Sequence, residues 1–302
     1  MEYVIETNNL TKIYNNKIKA VENLNLRVRA GEIYGFLGPN GAGKTTTLKM
    51  LLGLIKPTSG SARILGKVPG TPDSLSLLGS LVESPAFYPY LSGRDNLRVI
   101  ADYSGAPRSR IDEVLDIVGL KDRANDKFKG YSLGMKQRLG VAATLLKDPQ
   151  ILILDEPTNG LDPKGMAEMR ELIRNLGQGN RTVLLSSHLL NEVEQICDRV
   201  GVIQQGRLIA EGTISELKGS GALLVRATPS DLALSMLRSL DYVEKIEERD
   251  GALLISTDPS MAAEINRLLV QSGVAVSELH PTSQSLEEVF LNLTEVNEEQ
   301  VV

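Results

Sequence analysis

Residues 38–45 read Gly-Pro-Asn-Gly-Ala-Gly-Lys-Thr, and no other segment constrains the fold of this chain so tightly. Gly38, Gly41 and Gly43 let the backbone bend until its N–H groups point inward, as a phosphate cradle requires. A helix expected from about Gly43 adds the positive end of its dipole. Lys44 stands where a cation neutralises β- and γ-phosphate oxygens, and Thr45 offers a hydroxyl to Mg2+. Pro39, Asn40, Ala42 and Thr46 belong to the same stretch. Such a loop needs a strand before it and a helix after it. Ile33–Leu37 is an apolar run leading straight into it. Leu48, Leu51, Leu52 and Ile55 then fall at helical spacing, until Lys56-Pro57-Thr58-Ser59-Gly60 stops the pattern.

Three further runs predict strands. Residues 24–28 alternate apolar and polar, as a half-buried strand does. Residues 151–154 and 182–185 are continuously apolar, as buried parallel strands are. Residues 85–140 read as mostly helical. Strands alternating with helices predict an α/β sheet, which gathers ligands at the carboxyl ends of its strands. Asp155 and Glu156 follow one buried run and His188 follows the other, so one site can collect all three. Asp155 is then placed to hold Mg2+, Glu156 to orient or deprotonate the attacking water, and His188 to donate to the γ-phosphate.

The character changes at Lys218-Gly219-Ser220-Gly221, which reads as a linker. Beyond it the pattern predicts strand 222–227, helix 230–240, strands 242–248 and 251–256, helix 259–271 and strand 273–279. That β-α-β-β-α-β order is ferredoxin-like. A last helix starts at Ser285, with Glu288 completing a capping box and Leu286, Val289, Phe290 and Leu293 forming one apolar face. The expected division is therefore 1–217 and 218–302.

Net charge is −5 with both signs mixed along the chain, which is not the basic stripe of a nucleic-acid binder. The one cysteine, Cys197, excludes an intrachain disulfide and reads as a buried thiol. The start of the chain has acidic residues and no signal-peptide pattern. No stretch approaches the ~20 apolar residues that cross a bilayer, so a membrane role is expected to be peripheral.

More motifs turn these readings into a family resemblance. Residues 131–138, Tyr-Ser-Leu-Gly-Met-Lys-Gln-Arg, resemble the signature motif of ATP-binding-cassette (ABC) transporter ATPases. Asn159-Gly160-Leu161-Asp162 resembles their D-loop, His188 their switch histidine, and Tyr14 the aromatic that stacks on adenine. The resemblance implies a P-loop NTPase cassette, with a RecA-like core and a helical subdomain near 85–140. It also implies ATP and Mg2+, and a second ATPase chain, identical or related, whose Ser132 and Gly134 face the γ-phosphate, with Asp162 near the seam. The alternative is a soluble ABC ATPase uncoupled from transport. Two positions depart from the pattern. Leu133 replaces a common glycine, and Glu83 stands where the family has Gln. Glu83 is either an anionic metal ligand or a residue that hydrogen-bonds a loop. The segment from Glu83, together with the signature, is similar to ATPases of bacitracin-resistance and lantibiotic-immunity exporters, and the end SLEEVFLNLT is similar to that of drug-export ATPases. That implies export of a peptide antibiotic, drug or lipid-like molecule through a separate permease, from the cytoplasmic face of the membrane. Phe87, Tyr88 and Tyr90 either meet the permease or pack into the helical subdomain. The C-terminal domain either buttresses the cassette pair or regulates it.

Overall fold

Tyr3–Tyr14 (β1) is the spine of an antiparallel sheet in the computed structural model, which describes residues 2–15, 17–83, 85–179, 181–218 and 221–282. β1 pairs with β2 (Ile18–Leu24) and β3 (Arg27–Arg29). After β4 (Ile33–Leu37) and α1 (Lys44–Leu51) it also pairs with β5 (Ser59–Ile64). The single strand expected over 24–28 is divided, and Thr7 is the cause. Its buried hydroxyl donates to the Leu24 carbonyl at 2.8 Å and accepts the Leu26 N–H at 2.7 Å. Thr7 N–H donates to the Leu26 carbonyl at 2.9 Å. One side chain has thus taken backbone bonds that a straight strand gives to its neighbour, and the chain turns between β2 and β3. α1 also stops short of the expected face, at Leu51, while Ile55 still packs against the core from the following turn.

The chain continues through α2 (Pro72–Leu75), β6 (Leu78–Leu81), α3 (Gly93–Ser104), α4 (Arg110–Ile117) and α5 (Leu133–Leu145). The last three helices fill the stretch expected to be helical. Ser92 caps α3 by accepting the Asp95 N–H, and Gly105 ends it in a left-handed conformation. Next come β7 (Ile151–Asp155), α6 (Pro163–Gly177), β8 (Thr182–Ser187), α7 (Leu190–Ile196), β9 (Arg199–Gln204) and β10 (Arg207–Thr213). The six-stranded sheet has the order β10-β9-β4-β8-β7-β6. β9, β4, β8, β7 and β6 are joined by parallel ladders. The register pairs Leu37 with Ser187 and Asp155 with Ser186, so β4, β8 and β7 end side by side. Burial of Cys197 pushes its thiol far above the usual range, which leaves it chemically quiet.

The chain divides into two compact units, Met1–Glu211 and the part from Gly212 onward. The second holds α8 (Ile214–Lys218), β11 (Ala222–Thr228), α9 (Ser230–Arg238), β12 (Lys245–Arg249), β13 (Ala252–Ser256), α10 (Ala262–Gln271) and β14 (Ala275–Thr282). Its sheet runs β12-β13-β11-β14 with every neighbouring pair antiparallel, a split β-α-β topology. Leu223, Val225, Leu237, Ile255, Ile265 and Leu269 give it a core of its own. The helix expected from Ser285 lies outside the described residues. Among those described, no helix is long and apolar enough to cross a membrane.

Replacing Thr7 by Val should strand the Leu24 carbonyl and the Leu26 N–H in the core, at a cost of about 1–3 kcal/mol. Thr7→Ser, which keeps the hydroxyl, should cost less. Urea unfolding midpoints check both, and a Val variant with the original midpoint would remove Thr7 as the cause of the kink.

Candidate functional site

The loop between β4 and α1 is shaped by close backbone approach. A Cβ on Gly38 would lie 2.3 Å from the Ile203 carbonyl oxygen, and one on Gly43 would lie 2.3 Å from that of Ala20. Gly43 also caps α1 with φ 108°, a conformation that only glycine adopts readily. Gly38 N–H donates to the Ser187 carbonyl at 3.2 Å, which ties the loop to the end of β8. The N–H groups of the first turn of α1 lack acceptors within the helix, so this end is suited to bind an anion.

Lys44 is only 6% exposed. Its Nζ donates to the carbonyls of Gly38 at 2.7 Å and Pro39 at 3.2 Å, and pairs with Glu156 Oε1 at 3.1 Å. The other Glu156 oxygen, Oε2, lies 2.8 Å from His188 Nδ1. Thr45 donates its hydroxyl proton to Asp155 Oδ2 at 2.8 Å. The structure therefore brings together five residues expected from the sequence: Lys44, Thr45, Asp155, Glu156 and His188. Sequence reasoning gave no role to Ser186, whose hydroxyl donates to Asp155 Oδ1 and accepts the Glu156 N–H. A polar residue closing an apolar run was the available signal.

Glu83 has a different partner from the one expected of a metal ligand. Its carboxylate accepts from Lys49 Nζ at 2.6 Å, and its side chain is 67% exposed. The Lys49 hydrogen bond holds the Glu83 carboxyl below its ordinary range and raises the Lys49 ammonium. The Glu83 carboxylate thus pairs with helix α1, a partner that neither sequence alternative named, and Lys49 was not singled out from the sequence. Among the described residues, no three His, Cys, Asp or Glu side chains cluster so as to hold a metal.

Tyr14 ends β1 with its ring partly exposed and Lys12 Nζ 5.2 Å from the ring centroid. Pro39, Asn40 and Gly41 lie on the surface of the loop, Thr46 is half-buried, and Ala42 is buried beneath it. Ser132 and Asp162 are exposed and cap α5 and α6, accepting the N–H groups of Met135 at 3.2 Å and Gly165 at 2.9 Å. Gly134 is not required by its own chain. Its φ is not left-handed, and an added Cβ would come no nearer than 3.9 Å to a neighbour. Leu133 is 48% exposed and leans toward Gly160. Of the three aromatics after Glu83, Phe87 packs on Phe128 with centroids 5.1 Å apart, so the helical-subdomain alternative holds for it. Tyr88 and Tyr90 are exposed and lie 5.8 Å apart.

Residues 21–159 match the family described as ABC transporter. The chain is 43% identical to the bacitracin transport ATP-binding protein BcrA of Bacillus licheniformis, over 97% of this chain and 98% of that protein. It is 43% identical to the lantibiotic transport ATP-binding protein SrtF of Streptococcus pyogenes, over 69% of this chain and 90% of the relative. Among solved structures, it is similar to the ATP-binding cassette MJ0796 in a dimeric post-hydrolysis state bound to ADP and Pi. The TM-score is 0.62 at 28% identity, over 70% of this chain and 99% of that one. CbiO1 of Clostridium perfringens, part of an ABC transporter complex, matches with TM-score 0.66 at 25% identity, over 80% and 96% of the two chains. Paired nearly end to end with transport ATP-binding proteins and folded like solved cassettes, this chain belongs to the ATP-binding, ATP-hydrolysing subunits of ABC transporters.

Proposed function

We propose that the chain hydrolyses Mg2+-bound ATP as one member of a pair of identical chains. The pair drives export of a peptide antibiotic, or a similar drug or lipid-like molecule, through a separate permease whose cytoplasmic face it occupies. The observation that carries the chemistry is the Glu156 carboxylate, held between Lys44 and His188 and next in sequence to Asp155. The bacitracin and lantibiotic transport proteins carry the cargo assignment.

Lys44 meets the charge of the β- and γ-phosphates. Glu156 takes a proton from the attacking water, and His188 orients that carboxylate through Nδ1, leaving Nε2 to face a phosphate oxygen. Thr45 and Asp155 fit Mg2+, because they present two hard oxygens 2.8 Å apart. Few protein ligands suit an ion that keeps waters and substrate phosphates in its shell. When bound, it neutralises charge on the transferring phosphoryl group. Tyr14 offers a flat ring to adenine. The partner chain supplies Ser132 and Gly134, and a glycine that its own chain does not require at 134 supports an approach from outside that chain. Tyr88 and Tyr90 suit the permease contact, as exposed aromatics are favoured at interfaces. The second unit, with its separate core, is assigned to buttressing the pair.

Glu156→Gln should bind ATP, accumulate as an ATP-bound dimer and lose about 10²–10⁴-fold in kcat. Phosphate release and gel filtration test this, and wild-type turnover would remove Glu156 as the base. Mixing Lys44→Ala with Gly134→Asp should recover hydrolysis that neither variant shows alone. One intact site then combines the loop of one chain with the signature of the other. A mixture as inactive as its parts would argue against a shared site. Glu83→Gln should leave the Mg2+ titration of ATPase activity unchanged, because Lys49 already holds that carboxylate; a shifted titration would return Glu83 to the metal.

A further inference from the structure

The apolar character of β8 does not account for Ser186. Val183, Leu184 and Leu185 precede it, and Ser186 is as fully buried as they are. A hydroxyl withdrawn from water is costly unless its hydrogen bonds are met. Ser186 has both a donor and an acceptor role. Its Oγ–H donates to Asp155 Oδ1, and its Oγ accepts the Glu156 N–H at 3.0 Å. The same N–H also reaches the Ser186 carbonyl at 3.2 Å.

Each bond fixes something the reaction needs. With Oδ1 engaged by Ser186, Asp155 presents Oδ2 to the Thr45 hydroxyl at 2.8 Å. Glu156 leaves the strand at φ 48°, an uncommon left-handed turn for a residue with a side chain. Ser186 holds the N–H of that turn, and the turn delivers the carboxylate to Lys44 and His188. We infer that Ser186 is a positioning residue for ATP hydrolysis. Its hydroxyl sets the orientation of Asp155 toward the metal and the backbone turn that aims Glu156 at the water. The first half rests on the assignment of Mg2+ to Thr45 and Asp155. Without the hydroxyl, Asp155 is held from the Thr45 side alone and the Glu156 N–H keeps only a carbonyl.

The test uses Ser186→Ala and Ser186→Thr in the full chain, with Asp155→Asn as the reference. Affinity for a fluorescent ATP analogue is measured in EDTA and across a Mg2+ titration, alongside kcat and melting temperature. Ser186→Ala should bind the analogue in EDTA like the wild type. It should need about 10-fold or more Mg2+ to reach the midpoint of the metal-dependent gain, the usual scale for losing a group that orients a metal ligand. Its kcat should fall, and Ser186→Thr should restore both properties. If Asp155→Asn shifts the titration and Ser186→Ala leaves both titration and kcat unchanged, the inference is overturned. If Asp155→Asn itself has no effect, the metal assignment fails and the Asp155 half of the inference is overturned with it, while an unchanged kcat in Ser186→Ala overturns the Glu156 half. Loss of EDTA binding and melting temperature together in the Ala variant would point to packing alone, and would also count against it.

Discussion

Leu37 is paired with Ser187, and Ser186 with Asp155, in a parallel ladder that runs from β4 through β8 to β7. Because these strands point the same way, their carboxyl ends form one edge, and residues just past them converge there. Thr45 and Asp155 are 110 residues apart in sequence and still share a hydrogen bond. A slip of one residue in β7 would shift it by about 3.3 Å and turn Asp155 to the other face of the sheet. The bonds to Thr45 and Ser186 would then be lost together. The site is as well defined as the register, and the register is set by apolar side chains that must all be buried at once.

Lys44 imposes a second constraint, this time on the loop. An ammonium so withdrawn from water is tolerated only where oxygens surround it. Gly38 and Pro39 turn their carbonyls toward it, which keeps the loop curled, and Glu156 supplies the counter-charge. The Lys49–Glu83 pair is of another kind. Its carboxylate is mostly in water, where such pairs contribute little to stability. Its effect is positional, joining α1 to the segment that begins just after β6.

What the sequence disclosed follows from the same physics. β4, β7 and β8 are buried on both faces, so they read as unbroken apolar runs, and the residues ending them could be named in advance. β1 could not, because Tyr3–Tyr14 mixes polar and apolar residues and its pairing is interrupted by register shifts. β6 has only four residues, two of them Gly and Ser. The break between β2 and β3 depends on Thr7, a residue outside the interval where the break occurs. In the site, Lys44, Thr45, Asp155, Glu156 and His188 were legible because local spacing carries them. Ser186 and Lys49 act through partners 31 and 34 residues away, and local pattern does not encode such pairings.

Gly134 separates the two kinds of constraint. Gly38 and Gly43 are demanded by carbonyl oxygens of their own chain, which a Cβ would strike. Gly134 has room for a Cβ, which would meet Gly165 Cα no nearer than 3.9 Å, in an ordinary helical conformation where Ala would favour the helix by at most about 1 kcal/mol. A chain that keeps glycine there gives up helix stability for no gain within its own fold. The compensating gain then has to come from something that approaches that helix end closely. Ser132, exposed at the N-cap of the same helix, and Asp162, exposed at the N-cap of α6, give that approach a polar, hydrogen-bonding character. A phosphate held by a second cassette has the charge and the need for close backbone contact that such a helix end can meet.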